Sequence, residues 1–261
     1  MSALAGCGQT TAPRGAPDAL SRSEPLYVSR DEAQHADAGA AGDIVECYDW
    51  GTGGFSDTAV YGEGATADTA HQALKVATSE GGFGGVQTGL SLAREEPDRA
   101  LYVLEVHDVV KQAVIVHHGP ATSGAGGPGW YVESWAHCDY SELPRSFTDS
   151  LGLQIWTDAS GKPQPTAAIE SWTGPEHCNW QSMTFLHVGE AVYVRDPQPG
   201  LGHFFAEPYV EQAALPAGAI DTGFERNGQQ LWLSADKQRA FVGGVDGVEM
   251  WPRTTERLAC A

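Results

Sequence analysis

Two glutamates occupy matching positions in a short repeated pattern. The sequence VESW contains Glu133 and Trp135, and the sequence IESW contains Glu170 and Trp172. Because side chains alternate along a strand, each glutamate is expected on the same face of its strand as the tryptophan two positions later. Paired carboxyl groups can serve as acid and base on a glycosidic bond, and indole rings stack on sugar rings. The pattern indicates a sugar-binding or sugar-hydrolysing cleft or, alternatively, a sheet surface covered by indole rings.

Four histidines form a second candidate site. His107, His117 and His118 fall at the ends of two facing predicted strands, and His137 follows a third strand. Three imidazoles that converge are a common ligand set for zinc or copper. The alternative is that these side chains are half-exposed caps of strand ends. The sequence therefore predicts no metal and no cofactor, with a histidine metal site as the alternative.

Motifs of familiar enzyme classes are absent from the sequence. It contains no Gly-x-Ser-x-Gly elbow, no His-Glu-x-x-His pair and no Gly-x4-Gly-Lys-Ser/Thr loop. A Gly-x-Gly-x-x-Gly match at 124–129 leads into a strand rather than a helix, which is typical of a connector and not of a dinucleotide site. A non-catalytic role is therefore favoured over an enzyme.

Charge excludes several classes of partner. The chain has 15 Lys and Arg against 34 Asp and Glu, a formal charge of −19. Such a surface repels nucleic acid and anionic lipid, so neither is expected as a partner. The sequence also contains no run of eighteen apolar residues of the kind that spans a bilayer.

Hydrophobic patterns predict a β-rich fold. Apolar residues at helical spacing predict a helix from about residue 66 to residue 79 and a short helix over 144–151. The apolar runs 101–106 and 112–117 predict a buried hairpin, followed by a strand over 130–135. With the shorter strands of the C-terminal part, the fold class is α+β, β-rich, with antiparallel strands and two or three helices.

Composition and repetition divide the chain. Residues 8–42 are rich in small and polar residues, which predicts a flexible tether. The remainder is expected to form two related halves, 43–142 and 150–261, because a Glu–Trp strand runs towards a cysteine in each. A looser third copy of the pattern contains Glu249 and Trp251.

The cysteine count is typical of an exported protein. Of the five cysteines, Cys7 belongs to a separate motif, which leaves an even number in the folded part. Four cysteines allow three pairings. Pairing within each half joins Cys47 to Cys138 and Cys178 to Cys260, and this is the predicted arrangement.

The sequence LAGC, which ends at Cys7, resembles the lipobox of bacterial lipoprotein signal peptides. In such proteins a diacylglyceryl group is attached to the cysteine thiol and holds the protein at the membrane. Only six residues precede Cys7, whereas an export signal needs an apolar run of roughly 7–15 residues. Residues 1–7 are either the remnant of a signal whose start codon lies upstream or a chance match.

Residues 44–261 resemble predicted exported proteins of unknown function from actinobacteria. The resemblance is carried by residues 129–135 and 174–181 and by the closing segment 251–253 with Cys260. It implies export but no activity.

Together these patterns predict an exported protein on the outer face of the cell membrane, or secreted. The expected role is non-catalytic binding of an unknown extracellular ligand, or association with the envelope. The expected contact with the membrane is through the lipid at Cys7 alone. The alternatives are a glycan hydrolase that uses Glu133 and Glu170, with Trp135 and Trp172 as sugar contacts, and a metal-binding protein.

Overall fold

The computed structural model describes residues 23–55, 67–79, 83–119, 128–244 and 247–256. In these ranges the chain forms three α-helices and fifteen strands, and every pairing between named strands is antiparallel. The predicted β-rich α+β fold is confirmed. No described helix is long and apolar enough to cross a lipid bilayer.

The helices are α1 (Gly39–Ile44), α2 (Ala70–Ser79) and α3 (Arg145–Ser150). The strands are β1 (Trp50–Phe55), β2 (Ser91–Glu95), β3 (Arg99–Val106), β4 (Val109–Gly119), β5 (Gly129–Cys138), β6 (Leu153–Gln154), β7 (Thr157–Asp158), β8 (Ile169–Thr173), β9 (Thr184–Val188), β10 (Ala191–Arg195), β11 (Val210–Ala213), β12 (Ile220–Arg226), β13 (Gln229–Leu233), β14 (Arg239–Gly244) and β15 (Gly247–Pro252).

The N-terminal part is one five-stranded sheet between helices. Its strand order is β1-β5-β4-β3-β2. Helix α1 covers one face, where it packs on Leu101 and Ile115, and α2 covers the other face, where it packs on Tyr102 and Val114. Because the middle parts of β3 and β4 are buried on both faces, residues 100–104 and 113–116 are continuously apolar. The predicted hairpin is therefore confirmed.

The predicted tether is wrong from residue 23 onward, because this segment belongs to the folded body. Leu26 is buried in the same cluster as Ala38 and α1. The packing uses small side chains: a Cβ added at Gly53 of β1 would lie 2.4 Å from the Cβ of Ala38. Composition suggested a tether because Ala and Gly contribute little apolar surface, although they permit close backbone approach. The predicted tether residues 8–22 lie outside the described ranges.

The C-terminal part contains two sheets with a shared core. The four-stranded sheet has the order β10-β9-β8-β6, and the six-stranded sheet has the order β11-β15-β14-β13-β12-β7. One buried cluster joins Ile169, Leu186 and Tyr193 of the smaller sheet to Leu231 and Trp251 of the larger one. The two sheets therefore pack face to face, as in a sandwich.

The repeated Glu–Trp pattern lies on an interior strand of each sheet: β5, β8 and β15. The surroundings of these strands differ, since β5 belongs to a single sheet between helices whereas β8 and β15 belong to two facing sheets. The architectures of the two halves therefore differ, and the predicted relation between them stays a prediction.

Candidate functional site

Glu133 is a structural residue in a buried ion pair. Arg99 donates to both of its carboxylate oxygens, over 2.9 and 3.0 Å, and His117 Nδ1 lies 3.1 Å from the carboxylate. The Glu133 side chain is only 4% exposed. Because the carboxylate is buried and paired with Arg99, it is not presented to a ligand.

A bulge in β5 separates Glu133 from Trp135. The register with β4 shifts between Ile115, which pairs with Ser134, and Val116, which pairs with Val132. Glu133 therefore lies with Arg99 on the α1 side of the sheet, whereas Trp135 packs in the α2-side cluster. The prediction that this pair shares a face is wrong, because an extra residue in a strand interrupts the alternation of side chains.

The four histidines do not converge. His107 lies in the two-residue turn between β3 and β4, and His117 and His118 lie at the far end of β4. At about 3.3 Å per residue the two ends are roughly 30 Å apart. His137 pairs with Gln112 near the turn end. The described residues hold no group of three His, Cys, Asp or Glu side chains arranged to bind a metal ion.

Glu170 lies at a cavity between the end of the N-terminal sheet and the four-stranded sheet. We call this the junction cavity; its volume is about 280 Å³. Its polar and aromatic lining consists of Trp50, Thr52, His137, Asp139, Tyr140, Thr166, Glu170 and His187.

Asp139 holds the two walls of the junction cavity together. It follows β5, and its carboxylate accepts hydrogen bonds from the backbone N–H of Ser141 and from the backbone and hydroxyl of Thr166. Thr166 precedes β8, which carries Glu170. Because these bonds satisfy a carboxylate that is almost fully buried, Asp139 is a fixed anchor for the wall that bears Glu170.

A disulfide and a group of hydrogen bonds position Trp50 at the cavity. The disulfide Cys47–Cys138 is formed, as predicted, with a Cα–Cα distance of 5.1 Å. Glu142 accepts hydrogen bonds from the backbone N–H of Tyr48 and of Asp49 and pairs with Lys111 over 2.6 Å. These bonds fix residues 47–49 against the end of β5.

Trp50 presents an aromatic surface at the cavity. The residue is 36% exposed, and its ring is stacked on His35 with a centroid distance of 3.5 Å. The stacking restrains the indole while leaving part of it accessible. Trp172, predicted as a sugar contact, instead packs on Phe185, and Trp135 packs near Phe83.

The carboxyl group of Glu170 is desolvated. Burial raises its pKa above the ordinary value, and the nearby negative charge of Asp139 raises it further. Glu170 pairs across the strands with His187, whose Nδ1 lies 4.0 Å from the carboxyl oxygen. Burial also raises the pKa of Tyr140, and Glu170 and Asp139 act in the same direction. This wall of the cavity thus favours the protonated forms of Glu170 and Tyr140.

His137 supplies a buried acceptor. Its Nδ1 donates to the backbone carbonyl of Cys138 over 2.6 Å, and burial lowers its pKa, which favours the neutral ring. With the proton on Nδ1, Nε2 carries a lone pair. This Nε2 is buried and has no hydrogen-bond partner among the described residues.

Sequence reasoning found Glu170 but missed most of its neighbours. Asp139 and Tyr140 directly follow Cys138, so the predicted disulfide could have drawn attention to them. His187 could be found only through the register of β8 and β9, and Trp50 only through the pairing of β1 with β5. Cys178 is also disulfide-bonded, whereas its predicted partner Cys260, like Cys7, lies outside the described residues.

Two of the depressions that are larger than the junction cavity have simpler linings. One, of about 510 Å³, follows residues 197–209, and one of about 640 Å³ lies around β11 and β15. Proline, glycine and alanine supply much of both linings. The junction cavity is the better candidate because it combines an exposed indole, a desolvated carboxyl group and a buried imidazole.

Comparison of the chain with protein-family models, with curated proteins and with solved structures found no match.

Proposed function

We propose that the protein is an exported, lipid-anchored, non-catalytic binding protein that takes a small hydroxylated ligand, such as a saccharide, in the junction cavity. The observation that carries the proposal is the convergence of Trp50, Glu170 and His137 on one cavity. At about 280 Å³ the cavity is near the lower end of the range for small-molecule sites.

The lining favours hydroxyl groups over charged ligands. The lowered pKa of His137 favours a neutral ring in the lining, and the Glu170 carboxyl group is held in a setting that favours its protonated form. The face of Trp50 suits the apolar face of a sugar ring. With Asp139 close by, a ligand carboxylate or phosphate would be repelled.

A glycan hydrolase remains the second candidate, for a specific reason. The pKa of Glu170 is raised, and a carboxyl group with a raised pKa can act as the general acid of a glycoside hydrolase. Against it, Asp139 is already bound by Ser141 and Thr166, and Glu133 is engaged with Arg99 in another sheet. Binding without turnover is therefore the better-supported function.

A saccharide panel tests the site. Mono- and disaccharides are titrated calorimetrically into the protein, and released reducing sugar is assayed in parallel. We expect saturable binding without product, and about tenfold weaker binding, or about 1.4 kcal/mol, in Trp50→Ala and Glu170→Gln. Glu211→Gln, at a different depression, serves as the matched control.

The outcomes separate the candidates. Equal binding by all variants, or no binding by the wild type, would overturn the proposal. Product that disappears in Glu170→Gln would instead establish the hydrolase.

Export is supported by the disulfides. Cys47–Cys138 is formed and Cys178 is disulfide-bonded, and stable disulfides are typical of oxidising compartments. The intact mass of protein from its native host, expressed with the upstream DNA in place, tests the anchor. We expect a chain that begins at Cys7 and carries a diacylglyceryl group. An unmodified Cys7 with free thiols elsewhere would contradict both lipidation and export.

A further inference from the structure

Tyr48 is an exposed aromatic residue close to the junction cavity. It is 76% exposed, more than any other large hydrophobic residue in the part of the chain that the structure describes. It precedes Trp50, which lines the cavity, by two positions, and an extended chain spans at most about 7 Å over that length. An accessible tyrosine therefore lies beside the aromatic wall of the cavity.

The backbone that carries Tyr48 and Trp50 is held in place. Glu142 accepts hydrogen bonds from the backbone N–H groups of Tyr48 and Asp49. The carbonyl oxygen of Asp49 accepts a further bond from the N–H of Asp139, over 2.9 Å. A ring on such a fixed segment loses little conformational freedom when a ligand stacks on it, and this favours binding.

Tyr48 lies at the boundary between the N-terminal and C-terminal parts, as the junction cavity does. The ammonium nitrogen of Lys111, on β4, lies 5.0 Å from the centre of the tyrosine ring, and that of Lys162 lies 6.0 Å away. Lys162 belongs to the segment between β7 and β8, four residues before Thr166 in the cavity wall. Each part thus places a cation beside the ring, which restrains the ring while most of it stays accessible.

The junction cavity has room for only a short part of a sugar chain. Its volume of about 280 Å³ lies near the lower end of the range for small-molecule sites. It is open to solvent, since the side chains of Glu170 and His187 are 24% and 30% exposed. A longer saccharide bound there would extend out of the cavity onto the protein surface, where Tyr48 supplies an exposed ring next to Trp50.

We propose that the junction cavity binds the end of an oligosaccharide and that Tyr48 stacks on the sugar unit that follows the one in the cavity. This inference rests on the function proposed above, and it narrows the ligand from saccharides in general to chains of at least two units. Aromatic rings suit the apolar faces of sugar rings, so Trp50 and Tyr48 can hold successive units. The hydroxyl group of Tyr48 can also exchange a hydrogen bond with a sugar hydroxyl.

A simpler role for Tyr48 is to join the two parts through its contacts with Lys111 and Lys162. A contact of this kind contributes to stability alone. It predicts that replacing Tyr48 leaves the affinity for every sugar unchanged, whatever the length of the sugar chain. The effect of Tyr48 on the binding of short and longer sugars therefore distinguishes the two roles.

The test uses the full chain and two series of sugars of increasing length. Glucose, maltose and maltotriose are titrated calorimetrically, and so are N-acetylglucosamine and its β-1,4-linked dimer and trimer. We expect the dimer of at least one series to bind about tenfold more tightly than its monomer. In Tyr48→Ala the monomer should bind as it does to the wild type, whereas most of the gain from monomer to dimer should be lost.

Two variants serve as controls. Tyr48→Phe keeps the ring and should therefore keep most of the gain from monomer to dimer. Tyr27→Ala removes another exposed tyrosine whose ring faces a cation, the guanidinium of Arg99 at 5.0 Å. Arg99 lies at the end of the N-terminal sheet away from the junction cavity, so Tyr27→Ala should bind every sugar as the wild type does.

The outcomes separate this inference from the function on which it rests. Equal affinity for monomer and dimer, or a gain that persists in Tyr48→Ala, would overturn the role of Tyr48 and leave a saccharide site in the cavity. Failure of the wild type to bind any of these sugars would overturn both proposals.

Discussion

At the scale of single residues, the fate of a carboxyl group is decided by its neighbours. Glu133 is matched by Arg99 and contacted by His117, so its negative charge is compensated inside the protein. Glu170 has no arginine or lysine within 4.0 Å among the described residues and lies near a second carboxylate, so its charge is disfavoured. Removing the negative charge is therefore expected to lower the stability of the folded protein at Glu133 and to raise it at Glu170.

Replacing Glu133 by Gln should destabilise the protein. The change leaves Arg99, itself largely buried, without its carboxylate, and breaking a buried pair of this kind costs about 3 kcal/mol. Urea unfolding of the variant measures the loss. Glu207→Gln is the matched control because its pair with Arg239 is partly exposed, and we expect about 0.5 kcal/mol or less there. Equal effects in the two variants would contradict the assignment of Glu133 as a buried structural anion.

Replacing Glu170 by Gln should produce a stability difference that depends on pH. The pKa of Glu170 is higher in the folded protein than in the unfolded chain, so ionisation disfavours the folded state as the pH rises through the folded pKa. The Gln variant carries no such penalty. Relative to the wild type, it should therefore gain stability as the pH rises above about 4, where ordinary glutamates titrate, until the pH has passed the raised pKa of Glu170.

Thermal unfolding at a series of pH values checks this expectation. Glu211→Gln, at an exposed position, supplies the baseline for removing one negative charge from an acidic protein. A Glu170→Gln difference that stays constant with pH, or follows the Glu211→Gln curve, would show that Glu170 is not desolvated.

At the scale of elements, glycine and alanine let α1 lie directly on β1. A Cβ at Gly53 would meet the Cβ of Ala38 at 2.4 Å and the carbonyl oxygen of Trp135 at 2.7 Å. Gly53→Ala should therefore cost about 1–3 kcal/mol through forced displacement of α1 or β5. Gly202→Ala is the control, because a Cβ there meets nothing within 4 Å. Chemical denaturation compares the two, and a Gly53→Ala variant as stable as Gly202→Ala would show that α1 is not held against the sheet.

The elements also show what the sequence could predict. The hairpin of β3 and β4 was predictable because burial on both faces demands continuous apolar runs, and α2 was predictable because its apolar residues recur at helical spacing. Helix α1 was not, because its contacts come from small side chains that composition does not distinguish from a linker. The bulge at Glu133 carries no sequence mark, since it is set by the register between β4 and β5.

The junction cavity was predictable only in part, for a similar reason. Glu170 was singled out by its place in a repeated pattern. Its partners come together through contacts between segments distant in sequence: Asp139 bonds Thr166, and His187 faces Glu170 across a strand pair. Such juxtapositions depend on tertiary packing, which the residue pattern of one strand does not encode.

At the scale of the whole molecule, the end of the N-terminal sheet that carries the Cys47–Cys138 disulfide also forms one wall of the junction cavity. The disulfide joins Cys47, just after α1, to Cys138 at the end of β5, and the next residue, Asp139, bonds the opposite wall at Thr166. The same short segment, Cys138 and Asp139, therefore contributes both to the stability of the protein and to the geometry of the site.

Removal of this disulfide tests that connection. The bond closes a loop over a sequence separation of 91 residues, which in the chain-entropy model corresponds to about 4–5 kcal/mol. The double variant Cys47→Ala/Cys138→Ala should lose about this much stability in urea unfolding. It should also bind a cavity ligand more weakly, because the segment that leads to Trp50 loses its anchor. Cys178→Ala, in the C-terminal part, is the control: it should lower stability yet leave binding at the junction cavity unchanged. A double variant that unfolds more readily but binds with undiminished affinity would show that Glu142, through its bonds to the Tyr48 and Asp49 backbone, suffices to hold Trp50 in place.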